Sequence, residues 1–369
     1  MHGGPLSERG RFVVIGATGY TGRLVARELA RGATAGRAVI LAGRDRVAVD
    51  ALVAEVGGRA QPAEVDVKNR ASLAGLIRAG DSVINCAGPF AELGEPVVAR
   101  CVEARASYVD TTGEQPWMRE MRQRYHEPAR AAAVPIVNGM AFEWALGDCA
   151  AALLALRLGQ ELRTLDVVYA WGGTASSRGT RRTSLRIIGT RAWELESSRW
   201  RRRPAAAARR RFRFTSGRAR AAVSFGAGEV VTVPRWAADV ATVRGWIVMS
   251  DRNARLATIF SPALPVIVPL IRPFLEPLAT RRADPTPAER AASPFTIRLE
   301  AASADGRTAA AEVRGTDPYG LTAAIAAAGA KRALEPDRPA GVLAPSQLVD
   351  PRALLDGLAH RGLELVSER

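Results

Sequence analysis

The run Phe12-Val13-Val14-Ile15-Gly16-Ala17-Thr18-Gly19-Tyr20-Thr21-Gly22 joins a short apolar strand to the start of a helix, with glycines spaced G-x-x-G-x-x-G. That spacing reads as the strand-to-helix turn of a dinucleotide-binding unit. Gly16 permits the tight turn, Gly19 lets backbone N–H groups approach a pyrophosphate, and Gly22 allows the helix to pack closely on the strand. Thr18, Tyr20 and Thr21 complete the candidate contacts in the loop. The helix then turns its positive end toward the phosphates. A glycine pattern alone is weak; the strand before it and the helix after it carry the reading.

Working outward, apolar strand-like runs alternate with helical ones from residue 11 to about 141. Strands are expected at 12–15, 38–42, 63–67, 81–87, 107–111 and 134–137, and helices at 23–31, 46–56, 71–78 and 95–104. The alternation argues a doubly wound parallel sheet, a Rossmann domain over residues 10–141. After Asn138-Gly139 the pattern changes. A helix is expected at 146–158, and strands at 165–170, 228–234, 241–249, 295–300 and 308–314. Strands without intervening helices suggest a second, mixed α/β domain over 142–334, holding substrate or a dimer contact. Helices are expected at 318–334 and 351–360, with 335–369 packing back on the first domain. The fold class is α/β with a second α+β domain, and a homodimer stays open.

The choice of cofactor turns on the end of the second strand, Ala42-Gly43-Arg44-Asp45. A carboxylate there would bind the ribose 2′-OH of NAD. Arg44 is the first long side chain after the strand, and a guanidinium suits a 2′-phosphate, which favours NADP(H). Asp45 is the competing feature. Asp66, placed at the end of the third strand, is either a partner for the adenine amino group or a helix cap. Asn85-Cys86-Ala87-Gly88-Pro89 ends the fourth strand with small residues, so Cys86, Ala87, Gly88 and Pro89 can flank the cofactor. Thr111-Thr112-Gly113-Glu114 closes the same edge.

Composition narrows the chemistry. The chain has 369 residues, 47% hydrophobic and 24% charged, which suits two globular domains. Its net charge of +15 is almost all arginine, with Lys68 and Lys331 the two lysines. Neither sits in a phosphate-loop or Schiff-base motif, and no nucleic-acid-binding signature accompanies the charge. Cys86, Cys101 and Cys149 lie in apolar stretches, which fits a reduced, cytoplasmic compartment. His2, His126 and His360 form no metal-ligand spacing with them. The stretch 1–10 has no apolar core and does not read as a signal peptide. No tyrosine has a lysine four residues on, so the Tyr-x-x-x-Lys proton donor of short-chain dehydrogenases is absent.

Four segments together resemble the saccharopine dehydrogenase-like oxidoreductases: Gly16 to Gly22, Ala42-Gly43-Arg44, Val83-Ile84-Asn85-Cys86-Ala87-Gly88-Pro89-Phe90, and Tyr108-Val109-Asp110-Thr111-Thr112-Gly113-Glu114. Looser likeness continues through Asn138-Gly139-Met140-Ala141-Phe142, Gly147-Asp148, Ser177-Arg178-Gly179-Thr180, Val233-Pro234-Arg235 and Gly315-Thr316-Asp317-Pro318-Tyr319. The branch it is most similar to includes the bacterial trans-acting enoyl reductases. The resemblance implies an NADP-binding Rossmann domain and reduction of a carbon–carbon double bond in a lipid- or polyketide-derived intermediate, as in glycolipid biosynthesis. It transfers no catalytic residue. The residues themselves offer Tyr169, Glu143 and Tyr319 as proton sources, and Ser177, Thr180 and Ser184 as hydroxyls for a small-molecule or carrier-bound acyl substrate. Arg178, Arg181 and Arg182 could instead clamp the carboxylates of an imine or amino-acid-type substrate. A non-catalytic NADP(H)-binding, lipid-handling protein is the remaining alternative.

Two runs stand outside this scheme. Residues 198–214 look like an arginine-rich insertion in which Trp200, Phe212 and Phe214 lie among eight arginines. It reads either as a solvated loop or as a patch for an anionic membrane or acyl carrier. Residues 262–277 are mostly apolar but carry five prolines, which disfavour helix and argue against a membrane span. An apolar hairpin or loop is the expectation there, either touching a bilayer at the inner face of the plasma membrane or covering the substrate cleft.

Overall fold

The computed structural model describes residues 10–32, 34, 36–173 and 176–367. Residues 1–9, where no signal peptide was expected and where His2 falls, lie outside them. The described chain divides into two compact units. Residues to 112, 117–142 and 319–349 form the first, and residues 113–116, 143–318 and 350 onward form the second.

Strands β1 (Phe12–Ile15), β2 (Val39–Gly43), β3 (Ala60–Glu64), β4 (Ser82–Asn85), β5 (Ser107–Asp110) and β6 (Pro135–Val137) build the first unit. The chain then lays down β7 (Leu162–Trp171), β8 (Ala192–Glu196), β9 (Arg199–Arg203), β10 (Arg209–Arg213), β11 (Ala219–Phe225), β12 (Thr242–Val248), β13 (Phe295–Ser303) and β14 (Thr308–Gly315) in the second. It returns to the first sheet as β15 (Gly341–Leu343) and ends in the second as β16 (Glu364–Ser367).

The first sheet has the order β15-β6-β5-β4-β1-β2-β3, and every pairing is parallel. It is the expected Rossmann sheet, extended by one strand. β1 lies between β2 and β4, so the strand order reverses beside β1, where open α/β sheets leave a crevice for ligand. β1, β2 and β4 are buried along their whole length, because helices cover both faces. The third strand lies at 60–64 and not 63–67, which leaves Asp66 two residues past its end.

The second sheet runs β10-β11-β12-β7-β13-β14-β16, with β8 on β12 and β9 on β8. β12 pairs parallel with β7 and the remaining pairs are antiparallel, so the sheet is mixed as expected. Residues 335–369, expected as one terminal segment, are divided between the units. β15 pairs with β6 and β16 pairs with β14, so edge hydrogen bonds assign each half to a different sheet. The helix Pro318–Arg332, expected in the second domain, falls almost wholly in the first unit.

Three local expectations are overturned. The 198–214 insertion is no loop: it forms β9 and β10. Phe212 and Phe214 are buried in the core with Val168 and Trp246, so they are not an aromatic interface. Four of its eight arginines form ion pairs among the described residues: Arg201 with Glu196, Arg203 with Glu194 and Glu196, Arg210 with Asp166 and Glu300, and Arg211 with Asp251. Residues 262–277 are no hairpin. They lie mostly in the helix Leu264–Ala279, with Pro269, Pro273 and Pro277 inside it. The prolines recur every four residues, so each one's missing N–H faces the carbonyl of the proline before it. The lost bonds fall on one stripe and leave the rest of the ladder intact. Residues 228–234 are a helical turn, Glu229–Thr232, followed by a 3-10 turn, and not a strand.

Candidate functional site

The cofactor loop of the first unit is a backbone cradle. Gly16 sits at φ +74°, and a Cβ there would lie 2.9 Å from the Ala87 nitrogen on the loop after β4. A Cβ on Gly22 would meet the Gly16 carbonyl oxygen at 2.1 Å. Only hydrogen fits at either position. The helix Tyr20–Arg31 begins at Gly19, and no side chain caps it. The positive end of that helix suits an anion, as a pyrophosphate requires. Thr18 lies beside the end of β2, its hydroxyl 3.5 Å from where a Gly43 Cβ would stand. Tyr20 packs edge-on against Tyr319, ring centroids 5.0 Å apart.

Arg44 and Asp45 differ in their local engagement. The Asp45 carboxylate caps the next helix, accepting from the Ala48 N–H at 3.0 Å. Arg44 is exposed at the end of β2, and its guanidinium is not engaged in an ion pair among the described residues. Asp66 is neither strand end nor helix cap. It accepts from the Lys68 N–H in an exposed turn, and Asn69 caps the following helix.

After β4, the Asn85 side chain accepts from the Ala87 N–H at 3.0 Å and shapes the turn through Cys86, Ala87, Gly88 and Pro89. Burial pushes the Cys86 thiol up to about 12, so it is a neutral lining group and no nucleophile. The neighbouring strand ends are fixed by Asp110, a fully buried carboxylate. It accepts from the Tyr108 hydroxyl (2.9 Å), the Asn138 amide (2.8 Å), the Trp117 indole (3.2 Å) and the backbone N–H groups of Thr112 (3.2 Å) and Gly139 (2.8 Å). Sequence quoted Asp110 and Asn138 only as parts of motifs. The structure shows one node holding β5 and β6 together at the edge that carries Thr111 and Thr112.

The second unit contains a different cluster. Glu143 lies half-buried in the first turn of the helix Phe142–Arg157. Tyr169, on β7, is fully buried, with its ring between Trp171 and Phe225. Its hydroxyl donates to the Glu143 carbonyl at 2.6 Å and is also hydrogen-bonded to the Glu229 carboxyl. One phenolic hydrogen cannot serve two acceptors. The arrangement is satisfied when Glu229 is protonated, donating to the Tyr169 oxygen while Tyr169 donates to the Glu143 carbonyl. Burial acts in the same direction, raising Glu229 from the usual carboxylate value to about 8 and Glu143 to about 7. It also drives the Tyr169 hydroxyl well above its ordinary value, so that group stays protonated.

Two glycines let this cluster close. A Cβ on Gly147 would stand 1.8 Å from Glu229 Oε1, and one on Gly228 would enter the Trp144 ring. Glu229 was missed in the sequence because Val230-Val231-Thr232-Val233 imitates a strand. Gly147, Gly228 and the lone carboxylate in an apolar run were its only signals. The cluster unites Glu143 and Tyr169. Tyr319 belongs to the first unit and takes no part in it.

The hydroxyl candidates separate. Ser177 is buried and caps the helix Arg178–Ile188, accepting from the Thr180 N–H at 3.1 Å, with its oxygen 3.0 Å from the Thr180 hydroxyl. Thr180 and Ser184 are exposed. The carboxylate clamp is engaged elsewhere: Arg178 pairs with Asp284, Arg182 with Glu276, and Arg181 donates to the carbonyls of Ser176, Ala279 and Arg282. Among the described residues no group of three His, Cys, Asp or Glu is placed to hold a metal.

Residues 12–137 match the family profile of the saccharopine dehydrogenase NADP binding domain. The saccharopine dehydrogenase-like oxidoreductase of Rattus norvegicus is 33% identical over 147 residues, 36% of this chain and 34% of the relative. A Mycobacterium tuberculosis protein provisionally named a trans-acting enoyl reductase is 33% identical over 135 residues, 36% of this chain and 32% of the relative. The chain thus spans about a third of the length of the curated relatives it matches. Among solved structures, the apo saccharopine dehydrogenase (L-Glu forming) of Saccharomyces cerevisiae shares the fold. Its TM-score is 0.67 at 14% identity, covering 98% of this chain and 100% of that one. The homospermidine synthase of Legionella pneumophila, solved with NAD, gives 0.63 at 11% identity over 98% and 91%. The chain therefore carries a saccharopine dehydrogenase-type NADP-binding domain, and its fold is that of saccharopine dehydrogenase.

Proposed function

We propose that this protein is an NADP(H)-dependent reductase in which Glu143 is the proton donor and Tyr169 and Glu229 position it. Bound NADPH would supply the hydride. The turn through Gly16, Gly19 and Gly22 and the N-terminal end of Tyr20–Arg31 hold its pyrophosphate in this reading, and Arg44 holds its 2′-phosphate. The observation that carries the proposal is a half-buried carboxyl that keeps its proton up to about pH 7, with its backbone carbonyl pinned by a buried tyrosine. A general acid works best when its pKa lies near the operating pH. The Glu143 carboxyl releases its proton to the substrate atom that gains negative charge. Tyr169 and Glu229, being fully buried, never reach the substrate and act by holding the helix start in place.

A carbon–carbon double bond in an acyl substrate, free or carrier-bound, is the class we favour. The named M. tuberculosis relative supports it, and so does the internal engagement of Arg178, Arg181 and Arg182, which leaves little to grip substrate carboxylates. The second reading is reduction of an imine, and the likeness to the yeast saccharopine dehydrogenase fold favours that one. NADPH oxidation measured across enoyl thioesters and imines separates them. We expect turnover with an enoyl substrate, and a fall in kcat of ~10²–10⁴-fold in Glu143→Gln with NADPH affinity unchanged. Tight NADPH binding with no turnover on any substrate would instead identify a non-catalytic binding protein.

A further inference from the structure

The helix Asp251–Phe260, the 3-10 turn Ser261–Ala263 and the helix Leu264–Ala279 follow one another in the second unit and form a 29-residue helical segment whose most apolar 18-residue window has a mean hydropathy of 1.7. Only 17% of its most apolar window is buried. One side is accounted for: Ala254 packs with Ala206, Ala221 and Val223, and Val268 with Pro269 abuts Gly189 on the loop after the helix Arg178–Ile188. The other side is open. Val266, Ile267, Leu270, Ile271, Phe274 and Leu278 are exposed, with Phe274 at 80% and Leu270 at 69%. At ~100° per residue these six fall within an arc of about 140°. Leu256, Ile259 and Phe260 continue the exposed surface on the preceding helix.

An exposed apolar surface of this extent on a folded unit marks an interaction site. Its charge pattern identifies the occupant. Arg252 precedes Leu256 and Arg255 precedes Ile259 by four residues, so each arginine stands one turn behind an exposed apolar side chain on the same stripe. Arg272 lies within the second helix and Arg281 follows its end. None of these four joins an ion pair among the described residues. The segment's two carboxylates are neutralised internally, Asp251 by Arg211 and Glu276 by Arg182. What faces outward is therefore an apolar strip with Arg252 and Arg255 on the helix before it and Arg281 past its end, a pattern that suits the headgroup region of an anionic bilayer.

By length and composition the 29-residue segment would suffice to cross a bilayer, but its polar start, with Asp251, Arg252, Asn253 and Arg255, and its prolines argue for a surface position. The helix Leu264–Ala279 has 16 residues, about 24 Å at 1.5 Å per residue, against a hydrocarbon core of ~30 Å. Pro269, Pro273 and Pro277 also leave three carbonyls on one stripe without donors, which hydrocarbon would not tolerate and a hydrated headgroup layer would. We propose that Asp251–Ala279 is a peripheral docking face for an anionic phospholipid surface, laid flat with Phe260, Leu270 and Phe274 inserted. This inference is independent of the reaction proposed above.

Flotation of the full chain with vesicles tests it, comparing pure phosphatidylcholine with phosphatidylcholine containing about a third phosphatidylglycerol. We expect flotation with the anionic vesicles at low salt and its loss near ~0.5 M salt. Leu270→Ser with Phe274→Ser should weaken binding more than ~10-fold while melting temperature and NADPH affinity stay as in the parent chain. Should that pair impair folding, Arg252→Glu with Arg255→Glu, both at exposed positions, carries the test with the same expected loss. Protein left at the bottom of the gradient overturns the proposal, as does equal binding to neutral vesicles. A dimer in gel filtration that the serine pair dissociates would make a second copy of this chain the occupant, and would also overturn it.

Discussion

In the first unit the cofactor seat is made of backbone. Gly16, Gly19 and Gly22 keep side chains out of the turn before a helix end, and all three lie within one strand–turn–helix unit. In the second unit the proton-holding site is made of side chains from three elements far apart in the chain: Glu143 on a helix start, Tyr169 on β7 and Glu229 on a helical turn. The backbone site requires local geometry and little else. The side-chain site requires the whole unit to fold first, and it holds two carboxyl groups against their preference for water. The first should fail by steric exclusion, the second by changes in protonation.

The largest effect is expected where a methyl group enters the backbone seat. Gly22→Ala would place a Cβ 2.1 Å from the Gly16 carbonyl and 2.9 Å from Ala17 Cα, and neither backbone atom can give way cheaply. Overpacking of this kind costs ~1–3 kcal/mol in stability, and the displaced turn no longer presents its N–H groups to phosphate. NADPH titration should show a Kd raised by at least ~100-fold, with NADH weakened equally because the pyrophosphate is common to both. Affinity within a few-fold of the parent would move the cofactor away from this loop.

Arg44→Ala probes one side chain on the same unit and should do less. A lost charge-assisted hydrogen bond to a 2′-phosphate is worth ~1.5–3 kcal/mol, or about 10–100-fold in NADPH affinity. NADH, without that phosphate, should bind as before. Equal weakening of both cofactors would return Arg44 to a structural role and leave the 2′-phosphate to another group.

Glu229→Gln tests the protonation half of the comparison. In the folded chain Glu229 and Glu143 hold protons up to about 8 and about 7, where an unfolded carboxyl has lost its proton above 4.5. The folded state therefore binds more protons through that window. The stability this gives is fullest below pH 4.5 and declines as pH rises toward 8, by up to ~1.4 kcal/mol per pH unit for each group. Glutamine keeps a neutral donor to the Tyr169 oxygen and cannot ionise. Melting temperatures followed from pH 5 to 9 should fall less steeply in the variant than in the parent, while kcat stays within about ten-fold. An unchanged pH profile would mean that Glu229 is ionised in the folded chain.

The same contrast explains what the sequence disclosed. β1, the glycine loop, β2 and β4 were legible because period, spacing and turn chemistry are local. Asp45 could not be settled from sequence, since a ribose partner and an N-cap ask for the same residue at the same place. Glu229 was hidden because tertiary contact with Gly147 and Trp144 forces Glu229–Thr232 into a helical turn against its β-branched composition. The arginine run 198–214 was misread for a related reason. Its pairing partners Asp166 and Glu300 lie on β7 and β13, and no local rule connects them to Arg210. The prolines of Leu264–Ala279 misled in the other direction, because their spacing of four confines the damage to one stripe.

Ser177 is where the two kinds of site can be told apart with the smallest perturbation. Its hydroxyl was a candidate for gripping substrate, and its geometry is that of an N-cap: it accepts from the Thr180 N–H at 3.1 Å and is buried to 4% exposure. A capping hydroxyl stabilises its helix by ~1 kcal/mol and leaves affinity for a small molecule untouched. A hydroxyl bonded to substrate does the reverse. Ser177→Ala should therefore lower stability to denaturant by about that amount, with KM and kcat unchanged once assays are run well below the new melting temperature. A rise in KM of ten-fold or more, without loss of stability, would make Ser177 a substrate contact. It would also extend the side-chain site from Glu143 to the start of the helix Arg178–Ile188.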